Sequence, residues 1–235
     1  MAESIPDAVR RFRAAYREKE IGPLYRGWMH FGFTTLGSLA VIAFAISRVS
    51  DVRRLEWLSI PLTFLFANVA EYFGHKGPMH QPTRGLSRLF LRHTREHHHF
   101  FTHDAMAYES TRDFKMVLFP PVMLFFFLGV IATPIALLLF WLSTPNAAWL
   151  YVATAMSYFL AYEWLHFAYH LDEKSAFGGA PFLRALRRHH QSHHDKALMG
   201  RWNFNITFPI ADVLCRTYYR NGATPADKAG RAPAA

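Results

Sequence analysis

The chain has 235 residues, 51% of them hydrophobic and 18% charged, with 26 Lys and Arg against 17 Asp and Glu. So much apolar material excludes a disordered chain. The single Cys excludes an intramolecular disulfide and any Cys-based zinc or iron–sulfur centre. A net charge of +9 fits nucleic acid or an anionic membrane surface, and the long charge-free apolar blocks decide for the membrane.

In chain order, residues 1–26 lack the apolar stretch of a secretory signal. Within them Val9, Phe12 and Tyr16 fall at i, i+3 and i+7 among Arg10, Arg11, Arg13 and Arg17. That pattern predicts a basic amphipathic helix, either lying on a membrane surface or solvated. Gly27–Ser47 is free of Asp, Glu, Lys and Arg and reads as a first membrane span. The second, at 55–73, is weaker, with Pro61 inside it and Glu56 and Glu71 at its two ends; a buried helix of a soluble domain is the alternative there. Residues 117–162 contain 46 positions without a charged side chain. One spanning helix takes about 20 residues, so the block holds two. They are placed at 121–142 and 147–167, around a turn at Thr144-Pro145-Asn146.

The expected fold is therefore all-α and integral to the membrane. Four transmembrane helices carry a cytosolic helical cap within a domain at 27–217, preceded by a cytosolic segment at 1–26. A tail at 218–235, rich in Ala, Pro and Gly, is expected to be disordered. Four spans put both termini on one side with the loops 74–116 and 168–235, and that side holds 23 of the 26 Lys and Arg residues. The positive-inside rule makes it the cytoplasm, of a bacterial inner membrane or an endoplasmic reticulum. The charge then needs no nucleic acid to explain it.

Thirteen of the 14 His residues lie in two windows, 75–103 and 166–194, each beginning where a predicted span reaches the cytoplasm. His30 is the exception and reads as an interfacial or packing residue. His93 and His97 form an i, i+4 pair with His98 adjacent, and His166 and His170 form another such pair. His190, His193 and His194 share about 100° of helix arc. His75 and His80 flank Gly77-Pro78, which breaks regular helix, so the chain must turn there. Crowding this many imidazoles is unfavourable unless a cation organises them as neutral ligands. Imidazole suits Zn, Cu, Fe and Ni. Ten clustered rings point to two metals, each with an open position suited to a small molecule such as oxygen.

This set resembles the fatty acid hydroxylase superfamily, the integral-membrane group related to sterol desaturases. The family order of four boxes reads here as His75/His80, His93/His97/His98, His166/His170 and His190/His193/His194. The likeness extends to Phe119-Pro120-Pro121 and to 203–217, and covers about residues 60–217. It implies a di-iron monooxygenase that hydroxylates a C–H bond of a lipid, a fatty-acyl chain being favoured. The co-substrate is O2, and the metals are two non-haem irons held by those ten His residues. The second box has three intervening residues where some members have two. His99, His103 and His189 are accordingly read as neighbours outside the ligand set.

The chain shows no haem module, dinucleotide fingerprint or Cys cluster, so electrons are expected from a separate ferredoxin- or cytochrome-type carrier drawn to the basic face. Glu96-x-x-His99 and Glu163-x-x-His166 match the motif of soluble carboxylate-bridged bundles. In helices apolar all round the match reads as coincidental, although Glu163 is placed to orient His166. Asp104 and Asp195 read as solvated loop carboxylates, and Cys215 as structural. Asn205-Ile-Thr207 fits a glycosylation pattern but is expected on the cytoplasmic side, unmodified. Phe125–Phe127 and 158–162 offer aromatic side chains to a chain tunnel, although most of them read as lipid-facing. Three other functions stay open: a desaturase on the same scaffold, a non-enzymatic metal transporter or store, and a zinc-dependent membrane hydrolase.

Overall fold

The computed structural model describes residues 5–175 and 177–219. Among them there is no strand, and long helices carry the architecture. Helix α1 is Asp7–Lys19, α2 is Gly27–Ser47 and α3 is Ser59–Gly74. Helix α4 is continuous from Val122–Phe126 through a π-helical stretch, Phe127–Ala132, into Thr133–Leu142. Helix α5 is Pro145–Tyr169, α6 is Pro181–His193 and α7 is Ile210–Leu214. The widened turn in α4 has a local cause. Pro134 has no N–H to donate back along the helix, and beside it the Thr133 hydroxyl donates to the Leu128 carbonyl at 2.7 Å. The expected turn at 144–146 is shorter than the sequence implies. Thr144 caps α5 by accepting from the Ala147 N–H, so Pro145 and Asn146 already belong to its first turn.

Helices α2 to α5 run antiparallel in chain order. At one end Asn146, opening α5, donates to the Ser50 carbonyl and to Glu56, which lie just after α2 and just before α3. At the other end the start of α2 meets the chain before α4. There a Cβ on Gly27 would sit 2.0 Å from the Thr111 carbonyl oxygen, so only glycine permits the approach. Also at that end, His30 donates from Nε2 to the Phe119 carbonyl at 2.8 Å and accepts from the Tyr25 hydroxyl at Nδ1. His30 is thus a buried hydrogen-bonding residue. Both His windows emerge at this end, because α3 runs into His75 and α5 into His170.

Helix α5 is the axis of the bundle, and α2, α3 and α4 all pack on it. It buries apolar and polar residues alike, including Tyr151, Met156, Tyr158 and Glu163. By contrast Leu36, Phe44, Leu62, Phe125, Val130 and Leu138 on the surrounding helices are exposed. An apolar surface of that extent is foreign to soluble monomers. Gly27–Ser47 and Thr111–Leu142 are long and apolar enough to cross a membrane. Helix α3 has only 16 residues, about 24 Å at 1.5 Å per residue. Helix α5 is long enough, but its neighbours cover it, so its side chains need not be lipid-soluble.

Helix α1 departs from expectation. Its stripe of Val9, Arg13 and Tyr16 is buried in the protein. Tyr16 and Phe12 join a core with Phe100, Phe101 and Phe114, while Arg17 pairs with Asp113 and Glu109. Buried acceptors for Arg13 and Arg17, which helical periodicity does not reveal, turn this face toward the cap. Of the expected tail at 218–235, residues beyond 219 lie outside the described residues.

Candidate metal centre

Four pieces of chain bring the His residues to one place. His75 follows α3 at the start of a π-helical turn, His75–Met79. A second π-helical turn, Leu91–His97, leads directly into His98. The Thr94 hydroxyl ties the two turns together by donating to the Met79 carbonyl at 2.7 Å. His166 and His170 close α5, and His190, His193 and His194 close α6.

The ten rings form two groups of five. One contains His75, His80, His93, His98 and His193; the other contains His97, His166, His170, His190 and His194. Within each group one nitrogen per ring lies within 4.8 Å of all the others. In the first, Nε2 of His75 is 2.7 Å from that of His93, and Nε2 of His80 is 2.9 Å from that of His193. In the second, the His190–His194 and His97–His166 separations are 3.0 and 3.3 Å.

This division differs from the sequence pairing. His93 and His97, expected on one helical face, go to different groups, and His93 shares its group with His98. The π-turn is the reason. In an α-helix residue i+5 lies about 140° round from residue i, whereas the wider turn of a π-helix brings it back to the same face. The first group therefore holds two i, i+5 pairs, His75/His80 and His93/His98. The second holds two i, i+4 pairs on ordinary helix, His166/His170 and His190/His194. His193 and His97 each complete the group opposite to that of their helical neighbours.

The chemistry of the donors fits a cation in each group. Nδ1 of His97, His170, His193 and His194 donates to the carbonyls of Met116, Met106, Trp202 and Phe101 at 2.7–3.0 Å, and Nδ1 of His75 does so to the Phe204 carbonyl. A carbonyl only accepts, so these rings carry their proton on Nδ1 and present a lone pair at Nε2. Burial lowers the His75 pKa to about 4. Burial first, and repulsion from other imidazoles next, also hold His93, His98 and His190 well below the ordinary value. Lone pairs on neutral rings, gathered around one point in each group, are the donors that a metal ion takes.

The orienting carbonyls are themselves anchored, by residues that sequence reasoning missed. Asp212 accepts from the Phe204 and Asn205 amides and from the Thr217 hydroxyl at 2.7–2.9 Å. Glu71, near the end of α3, accepts from the amides of Ile206 and Thr207 and from the hydroxyls of Thr207 and Tyr158. Asn68, one turn earlier, bonds to Tyr158, Phe208 and Ala211. The segment after α6 is thereby strapped to α3 with its Trp202 and Phe204 carbonyls facing the first group. A polar residue inside an apolar helix, as at Asn68 and Glu71, was the available sequence signal.

Other sequence candidates lie elsewhere. Glu163 accepts from the Phe119 amide at 3.3 Å, and the His166 ring bonds to the Val117 carbonyl. Glu96 accepts from the Tyr16 hydroxyl at 2.7 Å and from Arg92. His99 bonds to the Thr94 carbonyl, and His103, which is exposed, to the Gln191 carbonyl. His189 packs on Tyr218 and lies 3.3 Å from Asp212. Asp104 is exposed, and Asp195 accepts from the Ala197 amide in its own loop. Cys215, read as structural, is exposed. Asn205 is buried and donates to the Asn68 carbonyl, so its amide is not free for a glycan.

Beside the first group an apolar cavity of about 320 Å³ opens between α3, α4 and α5. Phe126, Phe127, Tyr158, Phe159 and Tyr162 line it, together with His75; Phe125 points outward. No curated protein and no solved structure matches the chain. A family model does match: that of the Fatty acid hydroxylase family, over residues 60–217, a stretch that contains all ten rings of both groups. The chain belongs to the fatty acid hydroxylase family.

Proposed function

We propose that this protein is a membrane di-iron monooxygenase that hydroxylates a lipid, with the ten His residues of the two groups as metal ligands. One observation carries the reading: ten imidazoles gather in two groups of five, and an apolar cavity between the helices has His75 of the first group among its lining residues. Family membership supports an oxygenase of the hydroxylase or desaturase type. The imidazole donors alone accept iron, zinc, copper or nickel, and iron is chosen on the family.

In this reading all four helices α2 to α5 lie in the bilayer, with the His end and both termini in the cytoplasm. The domain is 27–217. Bound iron would supply the oxygen activation needed to attack an unactivated C–H bond. The residues of the chain do the rest. Backbone carbonyls hold the proton on Nδ1 of His75, His97, His170, His193 and His194 and keep their Nε2 aimed inward. The aromatic walls of the cavity hold an apolar chain straight and exclude water from its reacting carbon. At 320 Å³ the space is at the small end for ligand pockets, and it suits a single fatty-acyl chain. Electrons arrive from a separate acidic carrier of the ferredoxin or cytochrome type, docking on the basic cytoplasmic face.

The test is lipid mass spectrometry of cells with and without the protein. A lipid heavier by one oxygen atom is expected. A lipid lighter by two hydrogens would instead establish a desaturase, and an unchanged lipidome with full iron loading would overturn the reading.

A further inference from the structure

Arg13 lies outside the stretch that matches the family, yet its side chain is fully buried. It reaches from α1 to the neck of the loop at 100–106. Nε donates to the Phe100 carbonyl at 2.8 Å and one terminal nitrogen to the Ala105 carbonyl at 2.7 Å. The next carbonyl along the chain from each, those of Phe101 and Met106, accepts from Nδ1 of His194 and His170 at 2.7 Å. The guanidinium also covers the Phe100 and Phe101 rings, at 5.2 and 5.4 Å from their centroids. The Phe101 ring in turn packs on His170, with centroids 4.1 Å apart. Both rings so held belong to the second group.

We propose that Arg13 is a positioning residue for the second metal pocket alone, and that α1 is a working part of the metal centre. The physics is specific to arginine. A planar fork donates to two carbonyls at once while its face lies on an aromatic ring. Peptide planes 100–101 and 105–106 are thereby pinned, and the oxygens that aim His194 and His170 stand on the planes that follow them directly, 101–102 and 106–107. A lysine ammonium has no such fork. The first group takes its orienting carbonyls from Trp202 and Phe204, which α1 does not touch.

This inference rests on the metal reading above, so the experiment separates the two. Detergent-purified full-length protein is loaded with ferrous iron, freed of excess, and analysed for iron per chain. Wild type is expected to hold two irons and Arg13→Met one, with iron at the second pocket weakened about 10- to 100-fold. Arg13→Met is then combined with His93→Ala, which disables the first pocket, and with His190→Ala, which disables the second. The first combination should hold no iron, and the second should hold as much as His190→Ala alone. Two irons in Arg13→Met, or a loss from the first pocket as well, overturns the role of Arg13 and leaves the metal reading intact. Wild type without iron overturns both. Arg13→Lys keeps the charge for folding and should lose the same iron. If only the lysine variant yields folded protein, two tightly held irons in it would refute the proposal.

Discussion

The rings of His98 and His194 face each other with centroids 4.3 Å apart, yet they belong to different groups of five. They form the wall between the pockets. With His93 stacked on His97 at 5.3 Å, they bring the two groups into direct contact.

That shared wall predicts a division of labour. His98→Ala should lower metal occupancy in the first pocket and His194→Ala in the second, each leaving about one iron per chain. Elemental analysis of the two variants, with His98→Ala/His194→Ala as the limit of no iron, checks it. Product formation should fall at least 10²-fold in either single variant, as expected when a metal-supporting ligand is removed.

The cavity predicts a separation of binding from metal loading. Ala155 lies in its lining, on α5. Ala155→Phe fills the space that an acyl chain would take. Iron content should stay at the wild-type level while turnover of a long-chain lipid falls about 10²-fold, the cost of misplacing a reacting carbon. Shorter chains should be affected less, which a chain-length series will show.

Glu71 predicts a stability effect. Glu71→Leu leaves two amides and two hydroxyls without their acceptor, at a cost of about 1–3 kcal/mol. In a chain of this size each kcal/mol moves Tm by about 2–4 °C. Glu71→Gln should cost less, because its oxygen still accepts from the amides and the hydroxyls can turn round to donate elsewhere. Thermal unfolding in detergent should rank wild type above Glu71→Gln, and Glu71→Leu lowest.

Removing the metal predicts a larger effect. Without an ion, imidazole nitrogens 2.7–3.4 Å apart lose the cation that would hold them together. A bound ion at a thousand times its Kd stabilises by about 4 kcal/mol. Chelation should therefore lower Tm by many degrees, and ferrous iron should restore it. An unchanged Tm after complete stripping would count against a metal-organised cap.

The all-helical chain, four long helices of which two are long and apolar enough to cross a membrane, and the clustering of ten rings were legible in the sequence, because charge-free length and His clustering are both local signals. The assignment of rings to pockets was not. It depends on the π-turns at His75–Met79 and Leu91–His97, and a sequence read in α-helical periods pairs His93 with His97. Nor was the support behind the rings. Orienting carbonyls belong to the backbone and have no residue signature, so Met106, Met116, Trp202 and Phe204 could not be picked out. Helix α1 misled for a related reason. An amphipathic pattern with arginines looks the same whether the partner is a membrane or a buried loop. The family's stretch begins at residue 60, so the likeness was silent about Arg13.

The most direct test is anomalous diffraction at the iron edge from crystals of the iron-loaded protein. Two peaks are predicted, one enclosed by His75, His80, His93, His98 and His193, the other by His97, His166, His170, His190 and His194. A single peak, or iron bound outside both rings of imidazole, would contradict a binuclear centre built by this chain.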